Sequence, residues 1–174
     1  QARAVASTPN ITMITPASVS DIMVHDTHAV VTLDTGATIQ TSLVVGADGR
    51  GSIVRDLARM RTRGWPYGHT AVVATITHTG AHGNIAIEHF LSDGPFAVLP
   101  FVDDAAGQPR SAIVWSAPPP IARRLMAMTE DVFARAVQSR LPDRYGDVVY
   151  VGPRGAFPLT LQHALDYTSP RIAL

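Results

Sequence analysis

The sequence predicts an α/β chain of the α+β kind, mostly antiparallel sheet with a few short helices. Three observations carry that reading. Short apolar runs bounded by Gly, Asp and Pro recur through the first two thirds of the 174 residues. Apolar positions at helical spacing concentrate after Pro118-Pro119-Pro120. Hydrophobic residues make up 46% and charged residues 16%, which supplies a core and excludes a disordered chain.

The elements follow in order. Residues 11–14 and 19–24 are apolar runs and predict strands. Residues 29–33 and 38–45 flank Asp34-Thr35-Gly36, a hairpin turn in which Gly supplies positive φ. Leu43-Val44-Val45 is continuous rather than alternating, as in a strand covered on both faces. Ser52 suits the N-cap of a helix over 53–60. Gly64-Trp65-Pro66-Tyr67-Gly68 reads as turn chemistry and marks the best internal boundary. Strands are then predicted over 69–78, 84–91, 95–101 and 111–116. The three prolines break the pattern, and helices follow over 121–128 and from Glu130, the latter capped by Thr129. Val132, Phe133, Ala136 and Val137 form its apolar stripe, and Arg140 near its end suits the helix dipole. Residues 148–151 and 156–161 predict two more strands.

Composition narrows the function. Lys+Arg 14 balances Asp+Glu 14 for a net charge of +0, which argues against nucleic acid as a partner; that every cation is Arg carries no functional weight. The absence of Cys excludes a disulfide framework and a thiolate nucleophile. No apolar run approaches the roughly 18 residues that cross a bilayer, so the expected setting is a reducing cytoplasm. The chain opens on Gln1 and stops in the apolar Arg171-Ile172-Ala173-Leu174. A natural domain seldom ends inside a buried strand, and an internal fragment of a longer protein is expected.

The strongest chemical signal is Val44-Val45-Gly46-Ala47-Asp48-Gly49-Arg50-Gly51-Ser52-Ile53-Val54-Arg55. It has the layout of strand, Gly-rich turn and helix start. Gly46 and Gly49 give backbone clearance for a bulky ligand, and helix N–H groups suit a phosphate. Asp48 can accept from sugar hydroxyls, while Arg55 can offer its fork to a diphosphate. A dinucleotide fingerprint fails, because Val54 stands at its third glycine and no acidic residue ends a strand about 20 positions on. From these residues alone a second reading stays open, in which Asp-Gly is simply a turn beside a capping Ser.

Gly46-Ala47-Asp48-Gly49 with Ser52 and Arg55 resembles the "DG" motif of the flavin-dependent aromatic hydroxylases, the para-hydroxybenzoate hydroxylase family. Ala86-Ile87-Glu88-His89-Phe90, Asp93-Gly94-Pro95, Ala97-Val98-Leu99-Pro100 and Ile113-Val114-Trp115-Ser116 resemble its ubiquinone-biosynthesis branch, the 2-polyprenylphenol hydroxylases. Phe157-Pro158-Leu159, Ala164, Tyr167 and the final Arg171-Ile172-Ala173-Leu174 do so too. The glycine fingerprint for the ADP half of FAD and the following Gly-Asp motif are absent, and His89 replaces a frequent Arg.

The resemblance implies a late portion of a FAD-binding domain over 1–64, a substrate domain over 65–155 and a returning strand over 156–174. It implies an NAD(P)H-dependent monooxygenase that uses FAD and O₂ to hydroxylate a polyprenylated phenol, with this stretch alone inactive. Gly46, Asp48, Gly49 and Arg55 are its expected cofactor contacts, and no catalytic residue is assigned. Peripheral association with the inner membrane or a biosynthetic complex is a further implication. The alternatives are a flavin hydroxylase of another aromatic compound and a non-catalytic α+β binding module.

The remaining candidates are weaker. Arg50, Arg59, Arg61 and Arg63 read as a solvated face. His78, His82 and His89 lack ligand spacing and a fourth partner, so no metal is expected. Glu88 and His89 are adjacent on a strand and point to opposite faces. Trp65 and Trp115 read as packing anchors, and no Ser lies in G-x-S-x-G.

Overall fold

The computed structural model describes residue 5 and residues 7–174. The chain divides into two compact units, one of residues 1–64 with 162–174 and one of residues 65–161.

In the first unit, β1 (Val19–Val24), β2 (Ala29–Leu33) and β3 (Thr38–Thr41) form an antiparallel meander. Strand β2 alternates as a half-buried strand should, with Ala29, Val31 and Leu33 buried. Gly36 turns the β2–β3 hairpin at φ +84°. The predicted strand over 38–45 is instead two. The Thr41 hydroxyl donates to the Leu43 carbonyl at 3.0 Å, and a side chain that bonds its own backbone interrupts the ladder there. The second piece, β4 (Val44–Val45), pairs in parallel with a strand from the end of the chain. The helix α1 is shorter than expected, Ile53–Leu57, and stops before Arg59 at φ 55°. Val54 and Met60 with Ile172 make a small core. Residues 11–14 form no strand: Ile11, Met13 and Ile14 are half-exposed, and no ladder partner among the described residues covers them.

The second unit is built on a larger sheet. Strand β5 (Thr62–His78) begins seven residues before its predicted start. It runs through the exposed Gly64–Gly68 stretch, where the turn-forming residues lie within the strand and Gly68 alone takes a left-handed φ of +72°. Strands β6 (Ile87–Leu91), β7 (Gly94–Phe101), β8 (Arg110–Ala117), β9 (Val148–Val151) and β10 (Gly155–Ala164) complete it. The order is β10-β5-β8-β7-β6, with β9 also on β5. The β5–β8, β7–β8, β6–β7 and β5–β9 ladders are antiparallel.

Two helices cover one face of this sheet. The prolines do not delay the first, α2 (Pro119–Ala127); they open it, because Pro lacks only an N–H that the first turn leaves unpaired anyway. Arg154 closes its other end by donating to the Leu125 and Met128 carbonyls at 2.7 and 2.6 Å. Helix α3 (Glu130–Gln138) follows, with Glu130 and Asp131 in its first turn. Thr129 stands at its N-cap but makes no side-chain cap bond. Phe133 and Val137 are buried against Val72, Ile76, Phe96, Val98, Ile113 and Trp115.

The chain ends in β11 (Thr168–Ser169) and β12 (Ile172–Ala173) of the first unit; β12 lies between β11 and β4.

Candidate functional site

Three of the predicted cofactor contacts, Gly46, Asp48 and Gly49, lie on the turn between β4 and α1, and the fourth, Arg55, lies within α1. The β4 exit is pinned by β12: the Val44 and Gly46 N–H groups donate to the Arg171 and Ala173 carbonyls at 2.9 and 2.8 Å. The two glycines do different work. A Cβ on Gly46 would lie 3.0 Å from Leu174 and from Val54, so its bare backbone lets the strand pass close to α1 and to the chain's last residue. A Cβ on Gly49 would meet nothing, but φ is +80°, a conformation that side chains rarely adopt.

Asp48 organises the helix start. Its Oδ1 accepts from the Ser52 hydroxyl, and its Oδ2 accepts from the Ile53 and Val54 N–H groups at 2.7 and 3.2 Å. The Ser52 hydroxyl oxygen in turn accepts from the Arg55 N–H at 3.0 Å, the N-cap role expected of it. The first three N–H groups of α1 are therefore satisfied inside the turn, and the phosphate role expected of them meets donors already in use. The Ser52 hydroxyl, followed by the backbone donors, holds the Asp48 carboxyl below the ordinary value of 3.8, against a partial opposing effect of burial.

Arg55 folds back over its own helix. Its Nη1 donates to the Arg50 carbonyl at 2.7 Å, and its Nε and Nη2 both reach Asp56 Oδ1, at 3.0 and 2.8 Å. Its side chain is 11% exposed. Asp48 and Arg55 are thus joined through Ser52 and the helix backbone, with no direct ion pair between them.

The fit to a cofactor can be judged from this geometry. Asp48 is exposed, and a carboxylate has about four acceptor positions, of which three are filled. The space beside Gly49 and Gly51 is open. These residues suit a ligand that brings hydroxyl donors, such as the polyol part of a nucleotide or flavin. A diphosphate would have to draw Arg55 away from Asp56, although two of its five donors remain free.

The sheet face of the second unit that the helices leave uncovered is mainly apolar. Along β6, Glu88 stands opposite Ala97 and His89 opposite Phe96, so the two point to opposite faces as their adjacency requires. His89 shares the helix-covered face with Phe96. Glu88 shares the other face with Phe90, Ala97, Leu99, Val114 and Val73. Sequence reasoning noted the opposed directions but not this apolar setting, which depends on the register of three further strands.

The histidines are not brought together as a metal centre; among the described residues no group of three His, Cys, Asp or Glu could hold an ion. His78 is fully buried. Its Nδ1 donates to the Gly80 carbonyl at 2.8 Å, which leaves Nε2 to accept from Ser111 at 2.9 Å. Burial pushes its pKa down, with the neighbouring Gly80 carbonyl opposing. His82 Nδ1 accepts from the Asn84 N–H at 3.0 Å, and its Nε2 lies 3.4 Å from Asp103 Oδ1. Trp115 is a buried anchor with the Arg140 guanidinium 4.1 Å over its ring, whereas Trp65 is half-exposed.

No protein-family model matches the chain. It is 39% identical over 95% of its length to "Ubiquinone hydroxylase UbiL" of Rhodospirillum rubrum, of which it covers 38%. It is 33% identical over 99% of its length to "3-demethoxyubiquinol 3-hydroxylase" of Escherichia coli, of which it covers 42%. The "Ubiquinone biosynthesis monooxygenase COQ6, mitochondrial" of Rattus norvegicus is 34% identical over 83% of the chain, which covers 36% of it. The chain thus spans about two fifths of the length of the curated relatives it matches. Among solved structures, pqsL of Pseudomonas aeruginosa, described as a probable FAD-dependent monooxygenase, superposes with a TM-score of 0.70 at 19% identity. That match covers 99% of this chain and 48% of pqsL. The flavin-dependent halogenase CmlS gives 0.65 at 17% identity, with 94% of this chain and 31% of CmlS covered. By sequence the chain is similar to ubiquinone-biosynthesis hydroxylases over part of their length, and its fold over the stretch it spans resembles those of pqsL and CmlS.

Proposed function

We propose that this chain belongs to a flavin-dependent monooxygenase that hydroxylates a polyprenylated phenol in ubiquinone biosynthesis. The observation that carries the reading is the sequence match to named ubiquinone hydroxylases along 95% of the chain, with the Asp48 turn inside it. When bound, FAD supplies the oxygen-activating chemistry and NAD(P)H the electrons. The residues here supply binding and shape. Asp48 accepts from cofactor hydroxyls with its spare acceptor position, Gly49 keeps the approach open, and Arg55 exchanges part of its contact with Asp56 for a cofactor phosphate. The uncovered sheet face, with Phe90, Leu99 and Val114, forms an apolar wall that holds a ring and tail and excludes water.

No helix among the described residues is long and apolar enough to cross a membrane. Peripheral attachment to the membrane that carries an isoprenoid substrate is part of the proposal.

The test is made on the full-length gene product. Flavin absorbance on purification, and NAD(P)H-dependent transfer of one oxygen atom from O₂ to a prenylated phenol, are expected. A colourless protein that FAD cannot reconstitute would leave only an α+β binding module. A yellow protein that hydroxylates other aromatics and no prenylated phenol would keep the flavin chemistry and replace the substrate.

A further inference from the structure

We propose that Glu88 positions the substrate ring by accepting a hydrogen bond from its hydroxyl group. The inference rests on the sheet face being the substrate wall, and it names what selects and orients the ligand there.

Strands β5 to β10 carry a single carboxylate among them, Glu88. Register fixes where it lies. Glu88 pairs with Ala97, Ala97 with Val114 and Val114 with Val73, a row across four strands on the face the helices leave uncovered. Two residues along β6, Phe90 is on the same face and 85% exposed. Leu99 lies two residues beyond Ala97, also exposed. The acid therefore stands at the side of an apolar surface.

The Glu88 side chain has no hydrogen-bond or ion-pair partner among the described residues. The other charged residue that register places on this face is Arg110, opposite Phe101. It is committed: its Nε donates to the Val102 carbonyl at 2.8 Å, and its guanidinium lies 5.1 Å from the Phe101 ring centroid. His89 points to the opposite face. Among the described residues nothing occupies the acceptor positions of the Glu88 carboxylate.

An apolar wall holds a ring and an isoprenoid tail without fixing how the ring is turned, because burial is non-directional. A carboxylate offers acceptors and no donor, so it selects a ligand that brings an O–H. One such bond defines which ring edge faces inward. A charged residue on an edge strand can also serve merely to discourage strand pairing, and β6 is an edge. That role carries no preference between ligands, which makes the two separable.

The experiment compares a short-chain prenylated phenol with its O-methyl ether, the same ligand without the donor. Calorimetric titration uses flavin-loaded full-length protein in wild-type, Glu88→Gln and Glu88→Ala forms, with flavin content as the check on folding. Wild type is expected to bind the phenol about 10- to 100-fold more tightly than the ether, as a hydrogen bond to a charged group allows. Glu88→Ala binds both at the ether's affinity, and Glu88→Gln, which still has an acceptor oxygen, keeps part of the preference. An unchanged preference in Glu88→Ala, or none in wild type, overturns the assignment while leaving the proposed function standing. A flavin-loaded wild type that binds neither ligand overturns both.

Discussion

Polar atoms hold the Asp48 turn in place, whereas apolar packing holds the large sheet. In the first unit the core around α1 has three buried residues, Val54, Met60 and Ile172. The order of residues 46–55 rests on bonds from Asp48, Ser52 and Arg55. In the second unit fifteen buried residues form one cluster, in which the helices pack against one face of the sheet. On the proposed function, the difference gives the two parts different duties. A hydrogen-bonded turn with a spare acceptor can trade partners with a cofactor, while a packed sheet keeps a fixed wall.

The largest test of that contrast is in the sheet. Phe133 is fully buried, with Trp115 at 6.3 Å between ring centroids and the Arg154 guanidinium 4.8 Å from its own ring centroid. Phe133→Ala is expected to cost about 3–5 kcal/mol in denaturant unfolding, through lost burial and a residual cavity. A loss below about 1 kcal/mol would mean the core collapses around the gap and the wall is not rigid.

An intermediate effect is expected where the sheet's hairpin tip meets α3. Arg140 donates to both Asp93 carboxylate oxygens, at 3.1 Å to Oδ1 and with a still closer contact to Oδ2, and it lies over Trp115. Arg140→Ala should cost about 1–2 kcal/mol, mostly from the guanidinium–indole contact, since Asp93 is about half-exposed and its ion pair is screened. The Arg140 hydrogen bond and charge hold the Asp93 carboxyl below its ordinary value. Its contribution is therefore present above the unfolded value of 3.8 and fades as pH falls through the lower folded value. Equal acid stability of wild type and Arg140→Ala would remove the pair from the account.

These regions also differ in how far the sequence disclosed them. Strand β8 was legible because Gly, Asp and Pro set off the run 111–116 on both sides, and the structure then alternates it between half-buried and buried. The Asp34-Thr35-Gly36 turn was legible because only glycine takes φ +84° without strain. The start of β5 was hidden, since Gly64, Pro66 and Gly68 signal a break wherever backbone is read without its ladder partners. Residues 11–14 misled for the opposite reason: apolar side chains predict burial, but no strand among the described residues pairs with them. At the turn the residue types of the site were visible and their allegiance was not. An acid four residues before a capping Ser has no set spacing rule, so the hold of Asp48 on Ser52, Ile53 and Val54 needed coordinates. The setting of Glu88 needed the register of β6, β7, β8 and β5 together.

A smaller effect separates structure from binding at the turn. Asp48→Ala removes a side-chain cap and should cost about 1 kcal/mol of stability. Asp48→Asn keeps an acceptor for the Ile53 and Val54 N–H groups and should recover most of it. If Asp48 also contacts the cofactor, both variants of the full-length protein should bind FAD more weakly, and Asn should not restore binding as it restores folding. Parallel recovery of both would assign Asp48 to the turn alone.

The smallest expected change is a slope against pH, and it tests the buried side of the sheet. His78 is sealed in, with its Nδ1 proton held by the Gly80 carbonyl and its Nε2 lone pair turned to Ser111. Protonation at Nε2 would bury a charge and force the Ser111 hydroxyl to turn, so the folded pKa lies below the ordinary 6.5. As pH falls below 6.5, the unfolded chain takes up a proton at His78 that the folded chain does not. Stability must then decline, and it stops declining from this cause once pH passes below the folded value. His78→Gln removes that titration, and its unfolding free energy should be flatter than wild type between pH 6.5 and the onset of carboxylate protonation. If the two pH profiles run parallel across that window, His78 opens to solvent often enough to titrate normally, and the sheet is less closed than its packing implies.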